Sequence, residues 1–536
     1  MTAADPSAAR TSSSPWAPLF EPVFRRLWLV WVIANTCMWM NDVAAAWLMA
    51  LLVGTPGWVA LVQTASTLPV FLLGLASGAL ADIVDRRRYL MVTQVWVAAV
   101  ATLTCLVLLA GAMTPTLLLV LTFANGVGLA LRWPVFAALV PEVVPRAQLP
   151  PALALNGIAM NASRVIGPVI AGALIATAGT LWVFVLNALL SVVAAAALWR
   201  WQREVRVKTL PAERFVGAIR VGIQHARQNP RLKVVLLRVA LFFMQSSALL
   251  ALLPLIAKGL DGGGAASFTL LLACMGAGAV FAAAQLTWLR ERMSFDAMVR
   301  WGSLLQVAAA VVVALAPGVW LAAPAMLVAG MAWISVANSL TISAQFALPD
   351  WVRARGMSIY QMGLMGGAAV GAALWGQVAD AVGLQAALLL SAAAGVAVVL
   401  ATRRLSIEAA AGEDLSPAPL PPPPATGAVD PQAGPVLVGI EYLIDAADAE
   451  SFRAVMRDTR RARLAQGVLS WWLFRDTAQP GRYVEYFVDE SWVEHLRRFD
   501  RMTAADHALR ERRNALHRGA APPLVTRGVA HGVEGD

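Results

Sequence analysis

Three charged residues stand where so apolar a chain offers them no water: Asp42 in TCMWMNDVAAAW, Arg164 in NASRVIGPVIAG and Arg132 in LALRWPVF. An ionisable group inside a long apolar run is costly and by default marks a substrate or proton path. A buried carboxyl can take up and release a proton, while a guanidinium can steady it or hold an anion. Asp42, with Arg164 or Arg132 as its cation, is therefore the expected proton-coupling set. At about 1.5 Å of rise per residue, Asp42 falls in the outer half of its span and Arg164 near the midplane. Arg132, and Arg238 in VVLLRVAL, fall nearer the opposite face, where a long side chain can snorkel to water. The bland alternative for Asp42 is a hydrated acceptor between helices. Asn35, Asn41, Asn161, Asn187 and Gln245 either line a cavity or bond across helices.

Other chemistries find little support. The chain has no GxxxxGK[ST] loop to cradle phosphates, so ATP is not expected to drive it, and an ion gradient or passive movement remains. Cys37, Cys105 and Cys274 lie far apart in apolar runs, so neither a disulfide framework, a metal site nor a cofactor is expected. An enzyme reading would enlist His495, Trp471 and Trp472. However, His495, His507 and His517 share no helical face, and aromatics at strand positions more often form core.

The elements that must position these residues are helices in a membrane. Of 536 residues, 59% are hydrophobic and only 14% charged, against about a quarter charged in soluble domains. Runs long enough to cross a bilayer recur along most of the chain, and twelve spans are expected: 27–53, 57–80, 90–111, 114–139, 153–178, 180–199, 232–257, 265–289, 297–317, 319–347, 355–379 and 383–402. Every second connection is basic: Arg25 and Arg26, Arg86 to Arg88, Arg146, Arg200 to Lys208, Arg290 and Arg292, Arg353 and Arg355, Arg403 and Arg404. By the positive-inside rule both termini face the cytoplasm, and the net charge of +10 needs no nucleic acid to explain it. Residues 1–24 read as a retained polar tail without the features of a signal peptide.

A repeat appears at an offset of 204, which carries Gly126 onto Gly330, Pro145 onto Pro349, Gly167 onto Gly371, Gly172 onto Gly376 and Gly179 onto Gly383. It implies two six-helix halves, 25–200 and 232–404, joined by a cytoplasmic loop at 201–231 and rocking about a central site.

The loop GALADIVDRRRYL, with Gly78, Asp82, Arg86 and Arg87, resembles the signature between the second and third spans of the major facilitator superfamily. Asp85 stands where many members have glycine, and Ile83 where many have a basic residue. With its DRRR run, the chain is most similar to the transmembrane secretion effector branch, which includes enterobactin exporters. The resemblance implies a conformational latch in which the Asp82 carboxylate meets an arginine or a helix N-terminus. Alternatively, the arginines only fix topology. Arg164, Gly167, Pro168 and Gly172 likewise resemble the glycine-proline motif of antiporters in the fifth span, where glycines allow close approach and proline permits a bend.

Beyond a Pro-rich linker at 405–435, residues 436–536 alternate as βαββαβ, which suggests a cytoplasmic ferredoxin-like domain. Its run SWVEHLRRFDRMTAAD is similar to the trailing domain of the same family. Dimerisation or regulation is the favoured role, and some relatives of that fold are monooxygenases acting on lipophilic substrates.

The expectation is an all-α polytopic protein of the bacterial inner membrane with a small α+β tail. It would export a small amphipathic molecule (drug, siderophore or metabolite) by proton antiport. Its partners would be substrate, protons, the lipid bilayer and a second copy through the tail. A channel is the rival class, though it would want a more continuous polar pore.

Overall fold

The computed structural model describes residues 16–145, 148–200, 215–408, 414–421 and 429–531. Arg146, Lys208, the first 15 residues and the middle of the Pro-rich linker lie outside them. The chain forms two compact units. The first comprises residues 1–213, 236–341 and 360–405, and the second 214–235, 342–359 and 406–536.

In the first unit six helices come first: α1 (Pro22–Leu52), α2 (Pro56–Ile83), α3 (Arg86–Leu109), α4 (Pro115–Val143), α5 (Leu149–Thr177) and α6 (Thr180–Trp199). After α7 (Phe215–Gln228) come α8 (Pro230–Ala251), the short α9 (Leu253–Gly259), α10 (Ala265–Arg292), α11 (Phe295–Leu315), α12 (Val319–Phe346), α13 (Arg353–Val382) and α14 (Leu384–Thr402). Their starts follow from local chemistry. Proline occupies the first turn of α1, α2, α4 and α5, where its missing N–H costs nothing. Side chains of Asp85, Thr114 and Ser294 accept amide hydrogens that open α3, α4 and α11.

Among the described residues, 11 helices are long and apolar enough to cross a membrane. The helix α1, though 31 residues long, is not one of them; Asn35, Asn41 and Asp42 interrupt its apolar run. It packs against α2, α5 and α6. The seventh expected span is two helices, broken at Leu252 just before Pro254.

The offset of 204 is visible in the packing. A side chain at Gly167 would meet Trp39 and the Thr36 carbonyl of α1, and one at Gly371 would meet the Met244 carbonyl of α8 at 2.1 Å. Met40, beside Gly167, and Met244 are themselves 204 apart. Gly172 abuts Thr269 of α10, and Gly376 abuts Ala60 and Gly57 of α2, so each half offers a glycine to the other. Gly179 and Gly383, with φ of +96° and +90°, make equivalent turns before α6 and α14.

In the second unit, β1 (Val436–Leu443), α15 (Ala449–Ala465), β2 (Ser470–Arg475), β3 (Arg482–Asp489), α16 (Trp492–Asp500), α17 (Ala504–Ala515) and β4 (Leu524–Val529) follow in order. The sheet is antiparallel with strand order β2-β3-β1-β4. Val438 lies opposite Phe487 on β3 and Arg527 on β4. The alternation VLVGIEYL turns Val436, Val438, Ile440 and Tyr442 onto Phe452 and Met456 of α15, and this is the core of the unit.

Two sequence expectations change here. The segment 201–231 is not all loop, because its second part is α7, which packs on α15. Arg220 pairs with Glu490 at 2.6 Å, and Gln224 donates to the Val468 carbonyl. His225 meets the Ala465 carbonyl and lies edge-on to Trp351, which also receives the Arg501 guanidinium. Nor is the Pro-rich segment a free spacer. Ala418 and Leu420 donate to the carbonyls of Met502 and Phe499, and Ala433 accepts from Trp492.

Removing residues 406–536 strips α7 of the surface its apolar residues cover. We expect α7 amides to lose hydrogen-exchange protection in that truncated protein, while α1–α6 keep theirs. Unchanged protection on α7 would mean that it holds its fold without the tail.

Candidate functional site

Inside the first unit a cavity of about 190 Å³ lies between helices of both halves. Asp42 and Arg164 both line it, together with Gln63, Ser66, Trp39 and Trp333. The Asp42 carboxylate accepts a hydrogen bond from Ser66 Oγ at 2.9 Å. Arg164 stacks between two indoles, 5.3 Å from Trp39 and 4.4 Å from Trp333, and its Nε is buried without a hydrogen-bond partner among the described residues. A carboxylate and a guanidinium thus share one apolar-walled space with no ion pair between them among the described residues. Pro168 lies in the same wall. Such a site can take an amphipathic guest: rings against Trp, Phe243 and Phe268, a polar group toward Asp42 or Arg164.

Arg132 is elsewhere, and it does not snorkel. It is 3% exposed, bonds to Gln94 Oε1 and the Ala34 carbonyl, and sits over Trp31. Polar partners contributed by α3 and α1 make the interior cheaper than a reach to water. Asn187 donates to Asn41 across α6 and α1, Ser191 donates to Asn187, and Gln94 donates to the Ser191 carbonyl, so these amides are interhelical ties. Arg238 is likewise internal, paired with Asp296 at 2.6 Å and bonded to the Thr402 carbonyl.

The signature loop is short: α2 ends at Ile83 and α3 begins at Arg86. Asp85 caps α3 by accepting from the Arg88 amide at 2.9 Å. Arg87 donates to the Trp199 carbonyl at the end of α6, where a helix favours a cation. Ser77, next to Gly78, meets Tyr89 and the Leu131 carbonyl. The Asp82 side chain lies outside what the structure describes.

Two residues that sequence reasoning passed over join the halves. Asp380 of α13 accepts from the Gly57 amide in the first turn of α2 at 3.0 Å. Lys258 of α9 donates to the Ala50 carbonyl near the end of α1 at 2.9 Å. An anion at a helix start and a cation at a helix end are the two placements that helix dipoles favour. Each is a lone charge at a sparsely charged helix end, and its partner lies hundreds of residues away in the chain, beyond any local window.

In the second unit a buried charge network backs the sheet. Glu485 is fully buried and accepts from Tyr442, Trp471 and Arg463 at 2.9, 2.9 and 3.2 Å. Burial alone would raise its carboxyl, but Arg463 and Arg513 outweigh burial and hold it below the usual range. His495 has both ring nitrogens engaged, Nδ1 with Asp489 at 2.7 Å and Nε2 accepting from Arg527 at 3.2 Å. Burial, with Arg498 and Arg527 beside it, lowers the imidazole pKa against the pull of Asp489, so it is neutral at pH 7. Trp471 serves Glu485, and Trp472 is on the exposed face. Glu485, Asp489 and His495 are thus tied to one another's surroundings and to arginines by charge and hydrogen bonds.

The helix order, the paired halves and the enclosed cavity define a multi-pass membrane protein with a transporter fold. Solved structures bear this out at the level of the fold. The nucleoside transporter NupG is 12% identical with a TM-score of 0.58, covering 71% of this chain and 99% of its own. A POT family transporter solved with a thioalcohol-conjugated peptide is 11% identical at 0.58, covering 71% and 95%. A bacterial homologue of the human lysosomal transporter Spinster is 16% identical at 0.55, covering 72% and 94%. The chain belongs to the transmembrane secretion effector family, whose pattern matches residues 13–533. The uncharacterized MFS-type transporter YfiS of Bacillus subtilis (strain 168) is 28% identical over 214 residues, 39% of this chain, and the match spans half the length of that relative.

Replacing Asp380 with Asn removes the charge held at the start of α2. A carboxylate there contributes about 0.5–1 kcal/mol, so the population with these ends parted should rise about two- to fivefold. Spin-label distances between the outer ends of α2 and α13 measure this directly, and an unchanged distribution would assign the contact no gating role.

Proposed function

We propose that the protein is a secondary transporter that exports small amphipathic molecules by proton antiport, with Asp42 as proton carrier. The observation that carries this reading is that Asp42 and Arg164 line one cavity with no ion pair between them among the described residues, leaving each available to a different guest. Protonated, Asp42 suits the apolar walls. Ionised, it suits a cationic or hydrogen-bonding group on the substrate, and competition between proton and substrate for one carboxylate couples their movements. Arg164 between Trp39 and Trp333 is a platform for an anionic or aromatic part of the same molecule.

In this reading α1 is the twelfth span, the two six-helix halves rock about the cavity, and both termini are cytoplasmic in a bacterial inner membrane. The glycine contacts at Gly167, Gly172, Gly371 and Gly376 are the surfaces on which helices slide. Asp82, Arg86 and Arg87 latch one conformation. Strand order and connectivity of the tail support a ferredoxin-like domain. Its outward sheet face bears Trp472 and Phe474 on β2, 48% and 53% exposed, with Leu437 of β1 and Leu524 of β4 on the same face. A second copy fits this face, since flat aromatic surfaces of this kind are covered by self-pairing.

The test of coupling is proton release on substrate addition to protein in vesicles. Asp42→Asn should insert normally, bind substrate and release almost no protons, and Asp82→Asn should bind substrate yet move it slowly. Proton release from Asp42→Asn equal to that of the unmodified protein would place the carrier elsewhere. For the assembly, Phe474→Lys should convert a dimer to a monomer by light scattering in detergent; a mass unaffected by the change would set the sheet face aside.

A further inference from the structure

The helix-covered face of the tail sheet encloses a second cavity, of about 160 Å³. Val438, Ile440 and Phe487 form its sheet side, and Phe499 of α16 closes it from above. Five arginines also line it: Arg463, Arg498, Arg510, Arg513 and Arg527. Three carboxylates stand against them, and all are engaged. Glu485 is held by Tyr442, Trp471 and Arg463, Asp489 by His495 and Arg498, and Asp506 by the Thr503 cap of α17. Arg510 and Arg527 are exposed at the rim, so the inner guanidinium groups are those of Arg463, Arg498 and Arg513, against the two buried carboxylates Glu485 and Asp489.

One of these guanidinium groups, Arg513, is short of partners, whereas Arg498 meets Asp489 at 3.3 Å through Nη2. Arg513 is 6% exposed, comes no closer than 3.9 Å to Glu485, and has its Nε buried without a hydrogen-bond partner among the described residues. Arg498 is 5% exposed, and its Nε is in the same condition. Burying a cation without hydrogen bonds is expensive. A fold that only needed a core would fill this space with aliphatic side chains. The guanidinium fork matches a carboxylate, and an apolar cavity of about 150 Å³ accommodates a benzene ring.

We propose that the tail cavity binds a monocyclic aromatic carboxylate, its ring against the apolar lining of Val438, Ile440 and Met502 and its carboxylate on Arg513 and the free Nε of Arg498. The site is separate from the transport cavity, and the inference does not depend on the transport reading. It makes the tail a sensor domain for a small organic acid.

The test uses the full chain in nanodiscs and titration calorimetry with benzoate, its neutral isostere benzamide, and inorganic phosphate. Benzoate should bind at least tenfold more tightly than benzamide or phosphate. Arg513→Gln should weaken benzoate at least tenfold, and Asp42→Asn should leave it unchanged. Equal binding of benzamide, equal binding of phosphate, no binding of benzoate, or full benzoate affinity in Arg513→Gln would each overturn the proposal. Should Arg513→Gln fail to fold, hydrogen exchange on the unmodified protein decides: new protection by benzoate on α16 and α17 supports the site, and its absence there overturns it.

Discussion

A polypeptide in hydrocarbon has only itself to satisfy its amides and carbonyls, and the rest of this structure depends on that constraint. It forces the spanning segments to be helices. It also removes the hydrophobic drive that would otherwise push them together, so association falls to close packing and to scattered polar ties. The glycines of α5 and α13 answer the first need, letting neighbouring backbones come near enough for dispersion to hold them. The Asn41–Asn187–Ser191 and Arg132–Gln94 contacts answer the second. Wherever a polar side chain is tied in this way, it is taken out of service for binding. Arg164, and Asp42 with Ser66 as its one hydrogen-bond partner among the described residues, are therefore conspicuous.

How much of this was legible in the sequence varied with the distance between partners. Apolar runs located the helices because a span needs only its own residues to be apolar. The offset of 204 was readable because glycine has no substitute where backbones touch, so both halves keep it at matching positions. Asp42 and Arg164 were readable as charges without water. Arg132 read wrongly as a snorkelling residue because its partners, Gln94 and the Ala34 carbonyl, come from other helices that no local window contains. Asp380 and Lys258 were visible as charges but silent as to role, since each meets a helix end in the opposite half.

The tail divides in the same manner. The apolar, β-branched run VLVGIEYL and the turn before Arg482 made its strands plain. The charge network behind the sheet was hidden, because Glu485 sits within an ordinary strand pattern and its arginines arrive from α15 and α17. The helix α7 was missed because it is short and half polar, and its apolar side has meaning only against α15.

That last pairing has a consequence for how the protein is made. Gln224 and its partner Val468 are separated by 244 residues. At about 5–20 residues per second of synthesis, α7 leaves the ribosome on the order of ten to fifty seconds before the strand and helix that will cover it exist. Through that interval six further helices long and apolar enough to cross a membrane are being made. An amphipathic helix carrying arginines has a natural berth meanwhile, the headgroup layer, where its apolar side sinks and its cations meet lipid phosphates. Completion of the tail then becomes a transfer of α7 from lipid to protein, and a domain synthesised later is the one that finishes a segment made long before it.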